Sequence, residues 1–310
     1  MSETERKESG DVADLVVFCD ESGAKGYADQ QEHFPGETGV FAGFFVPREY
    51  VSPLEAELRT ITDSLSPDLE KPHITDISAE HQQHSRNGVY KIFLRNRVPC
   101  FYEAIYVQGF HADYERQCKA LRNFVASTGS KLKKQPQPES LHTALFLGFY
   151  TKILDFCLKR GKTNLKIEIR TDKIDSPILK KFHQTGERFL CDERKIPLKK
   201  WNPETQSVVY GSLTLKHDTR SPFNIEDYII APTADDNGAI FAADVLANSF
   251  NYLLRQRERK QRFEPLNCRE AVASHPLISI LYAHPQESKW DFADHMYAHP
   301  RRILRPGGAA

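Results

Sequence analysis

The chain has no excess of charge of either sign. Its 42 lysine and arginine residues balance 42 aspartate and glutamate residues, so the formal net charge at pH 7 is zero. A protein-wide positive field therefore cannot attract a polyanion, and any nucleic-acid site must come from local basic patches. With 40% apolar and 27% charged residues among 310, the chain has the composition of a globular protein that buries a sizeable core.

Closely spaced cysteines are also missing. The six cysteines lie far apart, and none forms a CxxC or CxxH pair, which argues against a zinc knuckle. Several of them lie in apolar runs, as Cys157 does in ILDFCLKR. This pattern predicts buried free thiols in a reducing compartment.

The sequence also shows no targeting signal and no membrane-spanning segment. The first residues, MSETERKESGDVAD, are charged and contain no apolar core, so they do not form a signal peptide. We find no apolar run that approaches the roughly 20 residues needed to span a bilayer. The sequence therefore predicts a cytoplasmic protein with no membrane partner.

Three common catalytic motifs are missing. There is no G-x-x-x-x-G-K-[ST], which excludes a P-loop, no G-x-G-x-x-G after a strand, and no G-x-S-x-G elbow. The 12 histidines are scattered, and the pair His81 and His84 has no third ligand nearby. A dinucleotide site and a serine-hydrolase site are therefore unsupported.

Apolar runs alternate with amphipathic stretches along most of the chain. We predict five strands, at residues 15–19, 39–47, 98–110, 165–172 and 206–218. We predict helices starting at Ser52 and Ser176, where a serine cap precedes proline, and at 113–125, 140–160 and 238–261. This order predicts an α/β fold with a mixed five-stranded sheet and helices on both faces.

No composition break marks a second independent domain. We predict a mobile polar tail, then one domain with loop and helix insertions, then a C-terminal extension that packs on the same domain. The boundaries are 1–13, 14–262 and 263–310.

Three aspartates are distinguished by their surroundings. Asp20 ends the first strand in VVFCDESGAKG, Asp172 ends the fourth strand, and Asp244 lies in the apolar stretch AIFAADVLANSFNYLL. A lone carboxylate among apolar residues is costly to bury unless a basic residue or a metal ion pairs with it. Carboxylates meeting at strand ends would suit two-metal phosphoryl transfer, which uses hard oxygen ligands. A structural ion pair is the alternative that the sequence leaves open.

These motifs resemble the domain of unknown function 3800 family. The resemblance covers residues 15–252 and is carried by VVFCDESGAKG, VFAGFFVP, PHITDIS, the strand ending at Asp172 and the FAADVLAN helix. It implies a ribonuclease H-like fold, with three antiparallel strands first and the first strand central. It also implies a metal-dependent nuclease in which Asp20, Asp172 and Asp244 hold Mg²⁺ or Mn²⁺, with Glu21 as a second catalytic acid of the first motif.

The chain departs from the family pattern at two places. Phe241 stands where the family has glutamine, and Lys71 stands where a middle motif, ElH or ElK, has glutamate. Asp76 and Asp236 are therefore candidates for a fourth carboxylate ligand. Glu21 could join the site only if the first strand turns there, because adjacent strand residues point to opposite faces.

Local basic patches are the candidates for nucleic-acid binding. The run LLRQRERKQRF is predicted to continue the helix that carries Asp244, which would align its cations with a phosphate backbone. Two further lysines precede Trp201, a residue that could stack on a base. The predicted nucleic-acid-binding residues are Arg255, Arg257, Arg259, Lys260, Lys199 and Lys200.

The leading hypothesis is a Mg²⁺- or Mn²⁺-dependent nuclease acting on RNA or DNA. Bacterial defence against phage is a setting that the resemblance alone implies. A catalytically inactive binding or scaffold protein in a larger complex is the main alternative, and a metal-dependent nucleotide phosphohydrolase is a third. A protein partner or a second copy of the chain is left open.

Overall fold

The structure is a computed structural model that describes most of the chain. The described residues are 12–65, 72–128, 136–172, 174–190, 193–202, 207–216, 224–232, 237–283 and 292–301. The predicted tail lies almost wholly outside these ranges, and the three domain boundaries stay a prediction.

The described chain contains eight strands and seven α-helices. The strands are β1 Ala13–Gly23, β2 Thr38–Pro47, β3 Cys100–Tyr106, β4 Asn164–Thr171, β5 Glu193–Asn202, β6 Ser207–Lys216, β7 Asn224–Pro232 and β8 Leu281–Tyr282. The helices are α1 Val51–Thr62, α2 Ala79–Asn96, α3 Val107–Thr128, α4 Leu141–Lys159, α5 Ser176–Leu190, α6 Asn237–Arg255 and α7 Phe292–Met296. Short 3₁₀ turns span Arg48–Tyr50 and Arg269–Val272.

Six strands form one mixed sheet in the order β7-β4-β1-β2-β3-β8. β1 pairs antiparallel with β2, and β2 pairs antiparallel with β3. On the other side of β1, β4 and then β7 are parallel to it. The two-residue strand β8 adds a parallel edge beside β3. The first strand is therefore central, the position that the family resemblance implies for it.

Each face of the sheet has its own apolar core, because successive β1 side chains point to opposite faces. Val16 and Phe18 pack with residues of α1, α2 and α6. Val17 and Cys19 pack with residues of α4 and α5. The central strand is thus buried on both sides, which explains its unbroken apolar run. The α/β class, with a mixed sheet and helices on both faces, is confirmed.

The prediction that the fifth strand belongs to the main sheet is wrong. Residues 207–216 do form a strand, β6, but β6 pairs with β5 in a separate two-stranded sheet. The fifth long strand of the main sheet is β7, which the sequence analysis missed. Its sequence NIEDYIIAP begins with polar and acidic residues that hide the strand pattern. Alternation predicts a strand but does not identify its partner.

Helix boundaries required further corrections. α2 was not predicted, and α3 begins at Val107, six residues earlier than expected. α1 follows directly from a 3₁₀ turn, so Tyr50 occupies its N-cap position and Ser52 does not. α4 is confirmed, with Ser140 at its N-cap position. α6 ends at Arg255, so the expectation that it continues through the basic run to residue 261 is wrong.

Among the described helices, one, α4, is long and apolar enough by length and composition to cross a membrane. In the fold it lies against β2 and β3, and 61% of its 18-residue apolar window is buried. This placement is consistent with a soluble protein in which α4 is a core helix. Cytoplasmic location stays a prediction. The five described cysteines are all free and buried, as expected.

A buried ion pair joins α4 to the sheet. Lys152 Nζ lies 2.8 Å from Glu103 Oε2, and both side chains are almost fully buried. The same ammonium donates a hydrogen bond of 3.0 Å to the carbonyl oxygen of Tyr102. Removing one member of such a pair leaves a buried charge without its counter-ion, which costs more than the pair itself contributes.

Lys152→Met is therefore expected to lower the free energy of unfolding by about 3–5 kcal/mol, measured by urea denaturation. The matched control is Arg95→Met, because Arg95 NH2 lies 2.6 Å from Glu57 Oε2 in an exposed pair. The control should cost no more than about 1 kcal/mol. Equal, small losses in the two variants would contradict the structural role of the buried pair.

Candidate active site

Parallel pairing of β1 and β4 brings the first two predicted acids to one edge of the sheet. Cys19 pairs in register with Thr171 in the last residue pair between β1 and β4, and Asp20 and Asp172 directly follow that pair. The carboxyl ends of parallel strands meet at the same edge, where α/β proteins commonly bind ligands. The main-chain register alone therefore juxtaposes two residues that are 152 positions apart in sequence.

α6 brings the third acid to the same edge. Its N-terminal N–H groups at Gly238 and Ala239 donate to the Glu55 carboxylate of α1, at 3.0 and 2.7 Å. A Cβ at Gly238 would lie 2.7 Å from the backbone nitrogen of Arg59, so glycine permits this close approach. The capped helix then packs on β1 and β2 and places Asp244 at the same edge of the sheet.

The three predicted acids line one small pocket. Its volume is about 10 Å³, room for roughly one water-sized particle. No lysine or arginine is among the described residues that line it. The lining consists of Asp20, Pro72, His73, Asp172, Ile240, Phe241 and Asp244.

His73 lies between two of the carboxylates. Its Nε2 is 3.6 Å from Asp172 Oδ2, and its Nδ1 is 3.6 Å from Asp244 Oδ2. The next residue, Ile74, donates its backbone N–H to Asp244 Oδ2 at 2.7 Å. The loop before α2 is thus fastened to the acid on α6 and forms one wall of the pocket.

Burial and mutual repulsion act on these acids. Burial raises the pKa of Asp20 well above its ordinary value, and the charges of Glu21 and Asp244 raise it further. Burial also raises the pKa of Asp244, although the Ile74 N–H and His73 oppose this. The negative charge is therefore only partly compensated by the protein.

The donor set fits a hard divalent cation in its chemistry. Three carboxylates and one imidazole share a pocket whose lining holds no cationic side chain, and Mg²⁺ and Mn²⁺ favour carboxylate oxygens. Among the described residues, however, no three His, Cys, Asp or Glu side chains are already arranged as a coordination sphere. Each of Asp20 and Asp244 is instead turned toward a backbone N–H. Rotation of these side chains would be needed to converge on an ion.

Glu21 does not reach the site by a turn in the strand. β1 continues through Gly23, with Glu21 opposite Phe41, so the expected turn after Asp20 is absent. The Glu21 carboxylate contacts Lys25 Nζ at 3.1 Å and lies 3.7 Å from His142 Nε2. Its charge still acts on Asp20, and its catalytic role stays a prediction.

The residues at the two departures from the family pattern, and the two candidate fourth ligands, lie in different surroundings. Phe241 is buried and lines the pocket, so an apolar ring stands beside the acids. Asp76 is exposed and is not among the described lining residues. Lys71 and Asp236 lie outside the described residues.

The predicted nucleic-acid-binding residues are spread over two regions. Arg255 is exposed at the end of α6, and Arg259 is exposed in the turn that follows. The Arg257 side chain is only 8% exposed and donates to the carbonyls of Glu264 and Pro265, so it has a structural role. Lys260 is exposed and pairs with Glu258 at 3.0 Å. The side chains of Lys199 and Lys200, on β5, lie outside the description.

Sequence reasoning did not select His73 as a site residue. A signal was present, because His73 lies in the PHITDIS loop, at the position of the histidine in the family's ElH motif. A lone loop histidine has no periodic partner, so only the fold reveals that it contacts two distant acids.

No protein-family model matches the chain, and no curated protein matches it. Among solved structures, the chain is similar to Bst-RNase HIII in complex with Mn²⁺. The alignment covers 94% of this chain and 72% of the other, with 11% identity and a TM-score of 0.29. A TM-score this low carries no argument, so neither fold family nor activity is inferred from it.

Asp20→Asn is expected to stabilise the protein in EDTA. Because the folded-state pKa of Asp20 is raised, ionised Asp20 destabilises the fold at pH values above that pKa, and this cost vanishes as the pH falls to the unfolded-state pKa. The variant should gain about 0.5–2 kcal/mol in free energy of unfolding at pH 8. Urea denaturation at a series of pH values measures the gain.

The control for this prediction is Glu49→Gln, which removes an exposed carboxylate remote from the pocket. It should change the free energy of unfolding by less than about 0.5 kcal/mol. The gain from Asp20→Asn should shrink toward zero as the pH falls to about 4. A variant that is no more stable than wild type at pH 8 would disprove the argument that burial and nearby charges make ionised Asp20 destabilising.

Proposed function

We propose that the chain is a divalent-metal-dependent nuclease that hydrolyses phosphodiester bonds of RNA or DNA. The proposal includes a ribonuclease H-like fold and membership of the domain of unknown function 3800 family. The strand arrangement supports it: β1, β2 and β3 are antiparallel, and β4 and β7 extend the sheet in parallel beyond β1. The three antiparallel strands and the central first strand are the parts of this arrangement that the family resemblance implies.

One observation carries the functional proposal. Asp20, Asp172 and Asp244, which come from β1, the end of β4 and α6, line the same pocket together with His73. Their negative charges are close enough to perturb one another, since Asp244 raises the pKa of Asp20 and Asp172 raises that of Asp244. A cluster of carboxylates does not stabilise a fold. Such a cluster is typical of a binding or catalytic site.

The residues of the pocket have distinct roles in this proposal. Asp20, Asp172 and Asp244 hold the cations through carboxylate oxygens. Bound divalent cations supply activation of water and stabilisation of the charge that develops on a phosphodiester. The Ile74 N–H donates to Asp244 Oδ2 and favours the ionised form of that carboxylate. Phe241 covers one side with an apolar surface and restricts water there.

A catalytically inactive nucleic-acid-binding or scaffold protein is the second candidate. Phe241 replaces the polar residue of the family motif, and the described residues hold no preformed coordination sphere. Both observations are compatible with a pocket that has lost metal affinity. Metal binding therefore separates the two candidates more directly than fold does.

Cleavage should depend on all three acids. Asp20→Asn, Asp172→Asn and Asp244→Asn should each reduce Mn²⁺- or Mg²⁺-dependent cleavage to below about 1% of wild type. The measurement uses labelled single- and double-stranded RNA and DNA with Mn²⁺, Mg²⁺ or EDTA. Glu49→Gln should cleave like wild type, and circular dichroism should show that the variants are folded. Cleavage retained in both Asp20→Asn and Asp244→Asn would refute the mechanism.

Metal binding should be visible without any substrate. A site that binds Mn²⁺ in the folded state only stabilises the protein, by about 2.7 kcal/mol at a concentration 100-fold above Kd. Thermal melting should therefore rise with Mn²⁺ in wild type and Glu49→Gln, and not in Asp244→Asn. The absence of a shift in wild type would favour the inactive scaffold.

A further inference from the structure

α6 carries a row of side chains that leads out of the acid pocket. Asp244, Asn248, Tyr252 and Arg255 are spaced by four, four and three residues, so they lie along one face of the helix. The 11 residues from Asp244 to Arg255 span about 16 Å. Asp244 is buried in the pocket, whereas Tyr252 is 58% exposed. The C-terminal part of α6 is held against the end of β1, because Asn251 donates to Ser22 Oγ at 3.1 Å.

Two exposed rings near this row are each paired with a guanidinium. Arg86 lies 6.0 Å from the centroid of Tyr252, and Arg255 lies 5.3 Å from the centroid of Phe34. Arg86 is fixed by a 2.8 Å hydrogen bond that it donates to Asn248 Oδ1. Within the described ranges, neither arginine forms an ion pair with a carboxylate. Their positive charge is therefore available to an external anion.

A second cavity adjoins the far end of the row. It has a volume of about 200 Å³, and Phe34, Tyr106, Arg255 and Arg262 are among its lining residues. Aromatic rings and guanidinium planes are the groups on which proteins stack nucleobases, and guanidinium also binds phosphate. Rings and cations thus alternate from the acid pocket to this cavity.

We propose that Phe34, Arg86, Tyr252 and Arg255, the stacking surface, bind unpaired nucleotides next to the acid pocket. The inference rests on the proposed function in one respect, namely that the ligand is a nucleic acid. In a duplex the base faces are stacked on one another, so exposed aromatic side chains can form few stacking contacts with them. In a single strand every base offers a face to a ring. The substrate class is therefore single-stranded nucleic acid, or a single-stranded segment of a longer molecule.

Binding can be measured separately from cleavage. The full chain in EDTA is titrated against a fluorescein-labelled single strand of about 20 nucleotides, as RNA and as DNA, and against the matching duplex, with anisotropy as the readout. Single strands should bind at least about tenfold more tightly than the duplex. Tyr252→Ala and Phe34→Ala should each weaken single-strand binding about tenfold, as expected for one lost stacking contact.

Two controls make the result specific. Tyr252→Phe keeps the ring and should bind within twofold of wild type. Tyr50→Ala removes a ring that is 59% exposed, just beyond the Pro47 end of β2, at the opposite edge from Asp20. Tyr50→Ala should leave the Kd unchanged. Equal losses in Tyr50→Ala and Tyr252→Ala would overturn the inference.

The arginines give an independent readout. Arg86→Gln and Arg255→Gln should each lower the slope of log Kd against log salt by about 0.7, the value for one single-strand phosphate contact. Unchanged slopes in both variants, together with unchanged binding by Tyr252→Ala, would overturn the proposal.

The outcomes distinguish this inference from the nuclease proposal. Cleavage with no effect of Tyr252→Ala or Phe34→Ala on binding would leave the nuclease proposal intact and refute the stacking surface. Single-strand binding that depends on the two rings, without any cleavage, would support the surface and refute the nuclease. Failure of every oligonucleotide to bind would refute the surface and point to a protein partner there.

Discussion

In-register parallel pairing between β1 and β4 is the constraint on which the site depends. It places Asp20 beside the end of β4, which Asp172 follows, although 152 residues separate the two acids. The apolar side chains of β1 bury it on both faces, so the strand cannot slip by one residue without moving its whole set of core side chains. The position of the first acid is therefore fixed by the core, and the pocket is assembled at the edge where that core ends.

The second requirement is that α6 lie close to the sheet. Glu55 caps its first N–H groups, and small residues such as Gly238 and Ala242 let the helix backbone approach its neighbours. This packing buries Asp244, and the backbone N–H of Ile74 compensates only part of the cost. The remaining cost comes from burial of the carboxylate and from the nearby charge of Asp172, and the cores on both sides of the sheet offset it.

The sequence predicted the parts of the molecule that local pattern determines. The apolar run at residues 15–19 predicted the first strand, and a lone acid among alanines marked α6. It could not reveal that residues 207–216 pair with β5, since alternation does not specify a partner. It also could not find His73, whose importance comes from contacts with Asp172 and Asp244 that exist only in the fold. The prediction that the basic run continues the helix was wrong. Five cations in sequence line up along a helix only if the helix extends through them, and α6 ends at Arg255.

The zero net charge limits how such a protein can hold a polyanion. Without a protein-wide positive field, long-range attraction is weak, and affinity must come from short-range contacts. A duplex offers mainly phosphates to a protein surface, so it suits a strongly basic face. A single strand also offers base faces, whose stacking does not depend on net charge. The stacking surface has two exposed rings beside guanidiniums that form no ion pair within the described ranges, and α6 leads from it to the cluster of acids. If the proposed surface binds nucleic acid, this arrangement on a chain with balanced charges suits single strands better than duplexes.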